Sequence, residues 1–523
     1  MAALRIAALI LLAVLLYEVL RFVLVRALAR SLHGRARKFA VRHGVRVDLF
    51  KFGGKQLVRE ELLNDLVITR AMLHAAAGEL VGRDGKPLPR ERPEDVRRRV
   101  EEYIDEIVPA FSLAAYYQLG MTLARAGIHA VYKPVIDRAS QARLASLPPD
   151  ATAVFLINHR SNFDYVVVGW ALSRQVAISY AVGEWARVFP LDALFRAFGG
   201  FFVRRGFPDP LYHTVLRRYL QLITRQGITQ GIFPEGGLTR DGALRAPKTG
   251  LLDALLQLAA DPAFGRELYF VPVGINYDRV LEDETLLAEK RGRDRPPSAA
   301  EKLGSALKLI VRLPFSVALN AVRIATGRLQ RHGYVAVAFG EALRFRDLAA
   351  SEGFSQPSLA ALSDVDRREL ARRIAGRLME RISVTIPATP VPLLARVLLD
   401  HGGDTEGGLA VRVRELRQRL EARGVPTALG KEFEALRQGK AALDEDEHRN
   451  RDLARLEGDL IESEEDEAIV RLGAEHLARR KIVTVVGGQI APAGTPRARE
   501  LLEYYARSIS QGADAINLTR PGR

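Results

Sequence analysis

The residues best suited to chemistry form one stretch, residues 158–164, which reads NHRSNFD. A histidine can act as a general base near neutral pH, and an aspartate bonded to its other ring nitrogen fixes the tautomer and stabilises the imidazolium. On a regular helix, the spacing of His159 and Asp164 would turn the two side chains roughly 140° apart. They can meet only if His159 lies in a turn and Asp164 in the first turn of a helix. The spacing of Ser161 and Asp164 also fits a simpler interpretation, a capping box at a helix start.

The segments around this stretch predict such a turn. Residues 153–157 read as a buried strand, and residues 165–172 can continue as a helix. Between about residues 150 and 345, short apolar runs alternate with helical patterning, which predicts an α/β sheet covered by helices. The predicted strands are Ala153–Ile157, Val176–Val182, Gly200–Val203, Ile228–Phe233, Leu268–Ile275 and Tyr334–Phe339, with helices at Leu211–Thr224 and Thr249–Ala259.

Three later strand ends carry polar groups suited to a phosphorylated substrate. Arg204 and Arg205 end one apolar strand, and a pair of arginines can fork onto a phosphate. Glu235 lies in a glycine-rich turn after the next strand, where it can accept substrate hydroxyls, and Arg240 follows it. Residues 271–280 (VPVGINYDRV) end a further strand with polar groups. Each stretch alone also fits a solvated strand edge or a simple β-turn.

The composition indicates a folded, basic protein with anionic partners. The chain has 523 residues, enough for more than one folding unit, and its apolar fraction of 48% is ordinary for a globular protein. Lys and Arg number 77 against 62 Asp and Glu, and the resulting charge of +15 favours phosphate-bearing, acidic or lipid partners. No zinc-finger or RNP-type pattern appears, so we predict no nucleic-acid partner. The absence of cysteine excludes disulfides, a thiolate nucleophile and a Cys-based metal site.

The N-terminal stretch, residues 4–28, is apolar and long enough to span a bilayer, with Arg5, Glu18, Arg21 and Arg26 as interruptions. A cleaved signal peptide is disfavoured because no small-residue cleavage site precedes a polar start. A single membrane helix and a helix lying in the membrane face are the two alternatives, with a buried core helix less favoured. The basic residues between 26 and 46 would hold the bulk of the protein on the cytoplasmic side.

The remaining chain is predicted to be mostly helical. Helical periodicity marks three segments, Glu60–Ala77, Pro93–Ile107 and Arg412–Arg423. An amphipathic helix pair at Ser305–Leu329 is predicted either to cover the sheet or to lie on a membrane. Residues 401–408 read as a loop, and the acidic runs at 444–447 and 462–467 as solvated surface. Lys481–Val486 is predicted to add one strand.

In their order along the chain, these blocks resemble the glycerol-phosphate acyltransferases, in particular the glycerol-3-phosphate and dihydroxyacetone-phosphate branch. The family pattern is an H-x4-D block, a G-x-F-F-[IV]-R-R block, an F-[VP]-E-G-G block ending in Arg, and a V-P-[VI] block. All four appear between residues 158 and 280, and residues 247–250 also match the branch's P-K-T-G. Residues 501–505 (LLEYY) resemble its C-terminal helix. The resemblance covers the middle of the chain strongly, the C-terminal part loosely and the first 120 residues barely.

The resemblance implies an acyltransferase-type α/β sheet flanked by helical N-terminal and C-terminal regions. The implied domains are a membrane-associated helix at residues 1–30, a helical region at 31–125, the acyltransferase domain at 126–345 and a mostly helical region at 346–523.

The resemblance also implies the chemistry. His159 would deprotonate the sn-1 hydroxyl of glycerol 3-phosphate, and Asp164 would orient and stabilise it. The donor would be acyl-CoA or acyl-carrier protein, and the product, lysophosphatidic acid, would enter phospholipid biosynthesis. No metal and no cofactor is implied. The residues implied to bind substrate are Arg160, Arg204, Arg205, Glu235, Gly236, Gly237, Arg240, Lys248 and Pro272.

Within this set, Glu235 and Gly236 would shape the polyol site, and Pro272 would help to form the acyl-donor face. One departure concerns the phosphate. The third block commonly reads E-G-G-R-S-R, and Leu238 replaces its first arginine here. Phosphate binding must then depend on the other basic residues, which are Arg204, Arg205, Arg240 and Lys248.

Two alternatives remain from the sequence. The acceptor could instead be lysophosphatidate or dihydroxyacetone phosphate, although the chain length and helical C-terminal part favour the large glycerol-3-phosphate enzymes. In another class, an inert basic scaffold on the membrane surface would have no need of these ordered blocks. Serine hydrolysis and P-loop phosphoryl transfer are disfavoured because neither motif occurs. The expected location is the cytoplasmic face of the cell membrane.

Overall fold

A computed structural model of the chain describes residues 54–82, 85–111, 120–148, 150–173, 176, 178–183, 195–196, 198–204, 206–292, 331–427 and 451–509. Three predicted features lie outside these residues: the N-terminal apolar segment, the helix pair at Ser305–Leu329 and the acidic run at 444–447.

Strands and helices alternate through the middle of the chain. The strands are β1 (Lys133–Ile136), β2 (Thr152–Ile157), β3 (Ser179–Gly183), β4 (Gly200–Val203), β5 (Gln230–Ile232), β6 (Leu268–Tyr277), β7 (Tyr334–Phe339), β8 (Leu343–Arg344), β9 (Asp404–Thr405), β10 (Val483–Val486) and β11 (Gln489–Pro492). The α-helices are α1 (Gly54–Leu63), α2 (Leu66–Ala77), α3 (Pro93–Ile107), α4 (Met121–Val131), α5 (Arg138–Arg143), α6 (Asp164–Leu172), α7 (Pro210–Arg225), α8 (Gly250–Ala260), α9 (Asp283–Arg291), α10 (Phe345–Ser351), α11 (Gln356–Ala360), α12 (Asp364–Thr385), α13 (Pro390–His401), α14 (Glu406–Glu421), α15 (Arg451–Arg479) and α16 (Pro496–Ala506).

The chain divides into two compact units. The first consists of residues 1–124 and 172–219, and the second of residues 125–171 and 220–523. In the described part of the first unit, α3 packs against α1 and α2 and against β4, which pairs in parallel with β3. The domain boundaries predicted near residues 125 and 345 stay predictions.

The second unit contains a mixed sheet in the order β1-β7-β6-β2-β5. Strands β5, β2 and β6 run parallel, β7 runs antiparallel to β6, and β1 runs parallel to β7. All six residues of β2 and all six of β7 are buried, as expected for strands covered on both faces. The predicted α/β sheet covered by helices is therefore confirmed.

Helices cover this sheet and hold the C-terminal part together. Helix α12 packs on β6 and on α8, and the close approach depends on Gly274. A Cβ atom at Gly274 would lie 2.2 Å from the carbonyl oxygen of Thr385. Beyond α12, helix α13 packs against α14, α15 and α16, and β9, β10 and β11 form a small antiparallel sheet.

Most predicted strands are present, and two are identical to their predictions, β4 and β7. Helix α3 likewise matches its predicted bounds. The sequence interpretation missed β1, β8, β9 and β11, which are short. The segment predicted as Glu60–Ala77 is two helices, because Asp65 caps α2 with hydrogen bonds to the backbone of Val67 and Ile68.

Two C-terminal predictions are wrong. Residues 401–408 are not one loop, since β9 and the start of α14 lie within them. The acidic run at 462–467 is not all solvated, because Glu465 and Asp466 are buried. Arg417 binds both carboxylates, at 3.2 Å and 2.5 Å, and this pairing makes their burial tolerable.

Within the part of the chain that the structure describes, no helix is both long and apolar enough to cross a bilayer.

The close approach of β6 and α12 generates a stability prediction. Gly274→Ala should lower the free energy of unfolding by about 1–3 kcal/mol, because the new methyl group must displace backbone. Gly376→Ala, within α12 and with open space around it, is the matched control and should be neutral or stabilising. Thermal unfolding of both variants tests this, and equal midpoints for the two would contradict the predicted packing.

Candidate active site

The candidate catalytic turn, residues 158–163, is fixed to the neighbouring strand by an asparagine. The amide of Asn158 donates to the carbonyl of Ile275 at 3.0 Å and accepts from its N–H at 2.7 Å. It thereby continues the β2–β6 ladder one residue beyond β2. The carbonyl of His159 accepts from the N–H of Thr239 at 3.0 Å. Hydrogen bonds to two different segments, at Ile275 and at Thr239, therefore fix the position of the turn.

His159 and Asp164 meet as the sequence predicted, with Nδ1 and Oδ2 3.0 Å apart. Both are buried, at 1% and 0% exposure. Asp164 Oδ2 also accepts the N–H groups of Arg160 and Ser161 at 2.7 and 3.0 Å, and Oδ1 accepts the hydroxyl of Tyr277 at 2.6 Å. A carboxylate with this set of donors acts as an acceptor, so Nδ1 of His159 carries the proton. In the neutral imidazole, Nε2 then holds the lone pair of a base.

Nε2 of His159 is buried and makes no hydrogen bond with any residue that the structure describes. The ring packs against Phe233, with centroids 4.2 Å apart, and against the edge of Tyr165 at 5.6 Å. A buried nitrogen without a partner costs about 1–3 kcal/mol. A hydroxyl that reaches Nε2 would therefore supply the missing hydrogen bond.

The side chain of Glu235 supports the turn by accepting hydrogen bonds from backbone N–H groups. Its carboxylate accepts the N–H of His159 at 2.7 Å and the N–H of Arg245 at 2.9 Å. Burial raises the pKa of Glu235 to about 7, and these two hydrogen bonds oppose the rise. Gly236 follows with a φ of +62°, and a Cβ there would lie 2.8 Å from Lys248 Cγ. Glycine therefore fits both the backbone conformation and the limited space.

Ser161 and a distant glutamate complete the turn. The hydroxyl of Ser161 accepts from the N–H of Phe163 at 3.1 Å and donates to Glu282 Oε2 at 2.8 Å. Glu282 Oε1 accepts the N–H of Asn162 at 3.2 Å. Burial raises the pKa of Glu282, and the bond from Ser161 opposes the rise. Ser161 thus stabilises the turn before α6, as a capping role would require, but it does so partly through Glu282.

The sequence interpretation missed two functional residues, Tyr277 and Glu282. Tyr277 lies within the stretch at residues 271–280 and Glu282 two residues beyond it, but the sequence interpretation gave a role there to Pro272 alone. The parallel neighbours β2 and β6 bring their carboxyl ends to the same edge of the sheet. The polar residues after a predicted parallel strand were the signal that could have identified them.

Arg160 has a structural environment that the sequence did not indicate. It is only 2% exposed, and its Nη1 donates to the carbonyl of Gly242 at 2.9 Å. Its guanidinium lies 5.4 Å from the ring centroid of Tyr504 in α16. Nε and Nη2 of Arg160 are buried without partners among the described residues. The predicted substrate contact of Arg160 stays a prediction.

Arg204 lies in the first unit, whereas His159 and Asp164 lie in the second. Its guanidinium forms a bidentate pair with Glu106, in which Nε donates to Oε1 at 2.7 Å and Nη2 donates to Oε2. It also lies 4.5 Å from the ring centroid of Phe207. The predicted phosphate contact of Arg204 stays a prediction, as does that of Arg205, which lies outside the described residues.

The remaining predicted residues lie in the second unit. Arg240 is 38% exposed and pairs with Glu289 at 3.2 Å, and Lys248 is exposed. Gly237 is buried in the turn after Glu235. Pro272 is buried in β6 opposite Leu156 of β2. The substrate contacts of these four residues stay predictions.

Comparison with protein families gives two matches. The acyltransferase family model matches residues 141–276, which include the catalytic turn and the blocks at residues 199–205, 233–240 and 271–273. The model of the glycerol-3-phosphate acyltransferase C-terminal region matches residues 318–470.

Curated relatives agree with these matches. A glycerol-3-phosphate acyltransferase of Aeromonas hydrophila is 31% identical over 50% of this chain and 31% of its own length. One of Pseudomonas fluorescens is 27% identical over 65% of this chain and 38% of its own length. The matched regions thus span only about a third of these relatives.

Among solved structures, the chain resembles the crystal structure of the 1-acyl-sn-glycerophosphate acyltransferase PlsC from Thermotoga maritima. The TM-score is 0.27 and the identity 16%, over 51% of this chain and 82% of that one. So low a score adds nothing to the fold described above. Both the acyltransferase region and the glycerol-3-phosphate acyltransferase C-terminal region are matched in one chain, which supports its assignment to the glycerol-3-phosphate acyltransferase family.

Proposed function

We propose that this protein transfers a fatty acyl chain from acyl-CoA or acyl-carrier protein to the sn-1 hydroxyl of glycerol 3-phosphate. The observation that carries the proposal is the buried His159–Asp164 pair, in which Nδ1 is bonded to the carboxylate and Nε2 has no partner among the described residues. That arrangement suits a base that takes a proton from an alcohol.

The proposed reaction runs in two steps. Nε2 of His159 removes the proton of the sn-1 hydroxyl as its oxygen attacks the thioester carbonyl, and Asp164 stabilises the imidazolium that forms. The tetrahedral intermediate then collapses, the carbon–sulfur bond breaks, and the imidazolium returns its proton to the departing thiolate. The products are lysophosphatidic acid and a free thiol, and His159 is restored. No cofactor takes part in this scheme, in which the donor is a co-substrate.

We assign the acceptor phosphate to Arg240 and Lys248. Both lie on the segment that carries Glu235, whose carboxylate bonds directly to the N–H of His159. Among the described residues, the guanidinium of Arg240 is held by an exposed pair with Glu289, and such pairs contribute about 0–1 kcal/mol. Lys248 is exposed, and its side chain makes no ion pair within the described part of the chain. A phosphate can therefore recruit both cations at little cost.

The proposed setting is the cytoplasmic face of the cell membrane, with membrane lipid as a partner. The support is the apolar and then basic N-terminal sequence, because the acyl chain and the product belong to the lipid phase.

His159→Ala should abolish acyl transfer to glycerol 3-phosphate, with a loss of about 100-fold or more, because the alcohol loses its base. The assay supplies acyl-CoA or acyl-carrier protein and, in turn, glycerol 3-phosphate, lysophosphatidate and dihydroxyacetone phosphate. Circular dichroism and thermal unfolding establish that the variant is folded. Undiminished turnover in a folded variant would refute the assignment of His159 as the base. A preference of the unmodified protein for another acceptor would refute the assignment of glycerol 3-phosphate as the substrate.

Tyr277→Phe should lower kcat roughly tenfold and leave KM unchanged, because Asp164 Oδ1 loses its donor while no substrate contact changes. Tyr132→Phe is the matched control, since it removes a buried hydroxyl that bonds to the carbonyl of Arg279. Equal kcat values for the two variants, or a rise in KM for Tyr277→Phe, would contradict the positioning role of Tyr277.

Arg240→Ala and Lys248→Ala should each raise KM for glycerol 3-phosphate roughly tenfold, with a small effect on kcat, because each removes a charge that binds phosphate. Arg225→Ala is the control, because the Arg225–Asp261 pair is about as exposed as the Arg240–Glu289 pair. A rise confined to KM for the acyl donor would contradict the phosphate assignment.

A further inference from the structure

Basic side chains converge from three neighbouring segments of the second unit. Backbone hydrogen bonds join His332 to Val131 at 2.7 Å and Lys133 to Gly333 at 2.8 Å, so the end of α4 and the start of β1 lie beside the start of β7. The segment after β6 completes the group. We call these side chains the basic cluster, which consists of Arg125, His129, Lys133, Arg279, Arg331 and His332.

Tyr132 connects the basic cluster to the catalytic turn. Its hydroxyl donates to the carbonyl of Arg279 at 2.7 Å, and its ring lies 6.0 Å from that of His332. On its other side, the ring lies 5.9 Å from Phe163 of the turn and 5.3 Å from Tyr277. The cluster therefore adjoins the catalytic turn without belonging to the His159–Asp164 pair.

The arginines of the cluster are not neutralised. Among the residues that the structure describes, the side chains of Arg125, Arg279 and Arg331 make no ion pair and no hydrogen bond. Arg125 and Arg331 are exposed, and Nε of Arg279 is buried without a partner. Two other arginines of the unit, Arg367 and Arg480, are in contrast held by carboxylates.

The acidic groups nearby are committed to other partners. Asp278 accepts the backbone N–H groups of Tyr334 at 2.8 Å and Val391 at 3.0 Å. Asp283 binds Arg480 through both oxygens, at 2.5 and 3.0 Å. Asp278 and Asp283 are therefore bonded to groups outside the basic cluster.

Both histidines of the cluster have lowered pKa values. Burial lowers the pKa of His332 to about 4, Arg279 lowers it further, and Asp283 opposes the change. Burial also lowers the pKa of His129, and Arg125 and Arg331 add to the effect. Both imidazoles are therefore neutral near pH 7, where they offer N–H donors while the arginines and Lys133 supply the charge.

We propose that the basic cluster binds a phosphate group distinct from the acceptor phosphate, which we assign to Arg240 and Lys248. Guanidinium groups from different segments can fork onto phosphate oxygens, and Arg125, Arg279 and Arg331, which make no ion pair among the described residues, attract such a ligand. Two sources share this chemistry, the nucleotide phosphates of a CoA donor and the headgroups of anionic phospholipid. The donor source rests on the proposed function, whereas phosphate binding itself does not.

The test measures binding without turnover, in the full chain carrying His159→Ala. The probes are adenosine 3′,5′-bisphosphate, followed by calorimetry, and vesicles of phosphatidylglycerol or of phosphatidylcholine, followed by sedimentation. Arg125→Ala/Arg331→Ala removes two charges of the cluster. Arg368→Ala/Arg423→Ala is the matched control, since it removes two exposed charges of the same unit that have no ion pairs among the described residues.

The cluster variant should bind one probe roughly tenfold more weakly, as expected for lost charge-assisted hydrogen bonds, while the control changes by less than about twofold. Loss of nucleotide binding identifies the donor as the source, and loss confined to phosphatidylglycerol vesicles identifies the lipid headgroup. The proposal would be overturned if the His159→Ala parent and both double variants bound the probes with equal affinity. Equal losses of affinity in the cluster variant and the control would also overturn it. Failure of the His159→Ala activity test would leave this result standing, so the two proposals can fail separately.

Discussion

The carboxylate of Asp164 is the group on which the rest of the site depends. It is fully buried, and a buried charge is tolerated only when its oxygens are satisfied. Three donors from residues 159–161 meet one oxygen, and the hydroxyl of Tyr277 meets the other. The local donors require the turn to curl around the start of α6. The remote donor requires β6 to end beside β2, so that one carboxylate links the turn to the sheet.

The C-terminal helices also support the turn, through the segment that carries Glu282. Glu282 holds the turn at Ser161 and Asn162, and its neighbour Asp283 is fixed by Arg480 of the C-terminal region. The hydroxyl of Tyr505 in α16 also bonds to Asp283. The catalytic turn is thus supported by residues more than 300 positions along the chain, which gives the C-terminal region a structural reason to accompany the acyltransferase region.

Features that depend on residues close together in the sequence were predicted, whereas contacts between residues far apart in the sequence were missed. The His159–Asp164 pair, β4 and β7 follow from short patterns, because strand burial and turn formation are decided within about ten residues. Tyr277 and Glu282 reach the turn from more than 100 residues away, and only the pairing of β2 with β6 brings them there. Glu465 and Asp466 were misread for the same reason, since the Arg417 that allows their burial lies on another helix. Charge alone could not indicate which acidic residues have such a partner.

Within the part of the chain that the structure describes, Nε2 of His159 is a polar atom of the pair without a hydrogen bond. Stability alone would favour a partner for it or an apolar side chain in its place, because an unpaired buried nitrogen costs about 1–3 kcal/mol. The described surroundings of His159 provide neither. The carboxylate of Asp164 fixes the proton on Nδ1, and the ring packs against Phe233. A structural histidine is expected to have both ring nitrogens bonded, whereas only Nδ1 of His159 is bonded among the residues that the structure describes. This asymmetry supports the proposed role of His159 as a base.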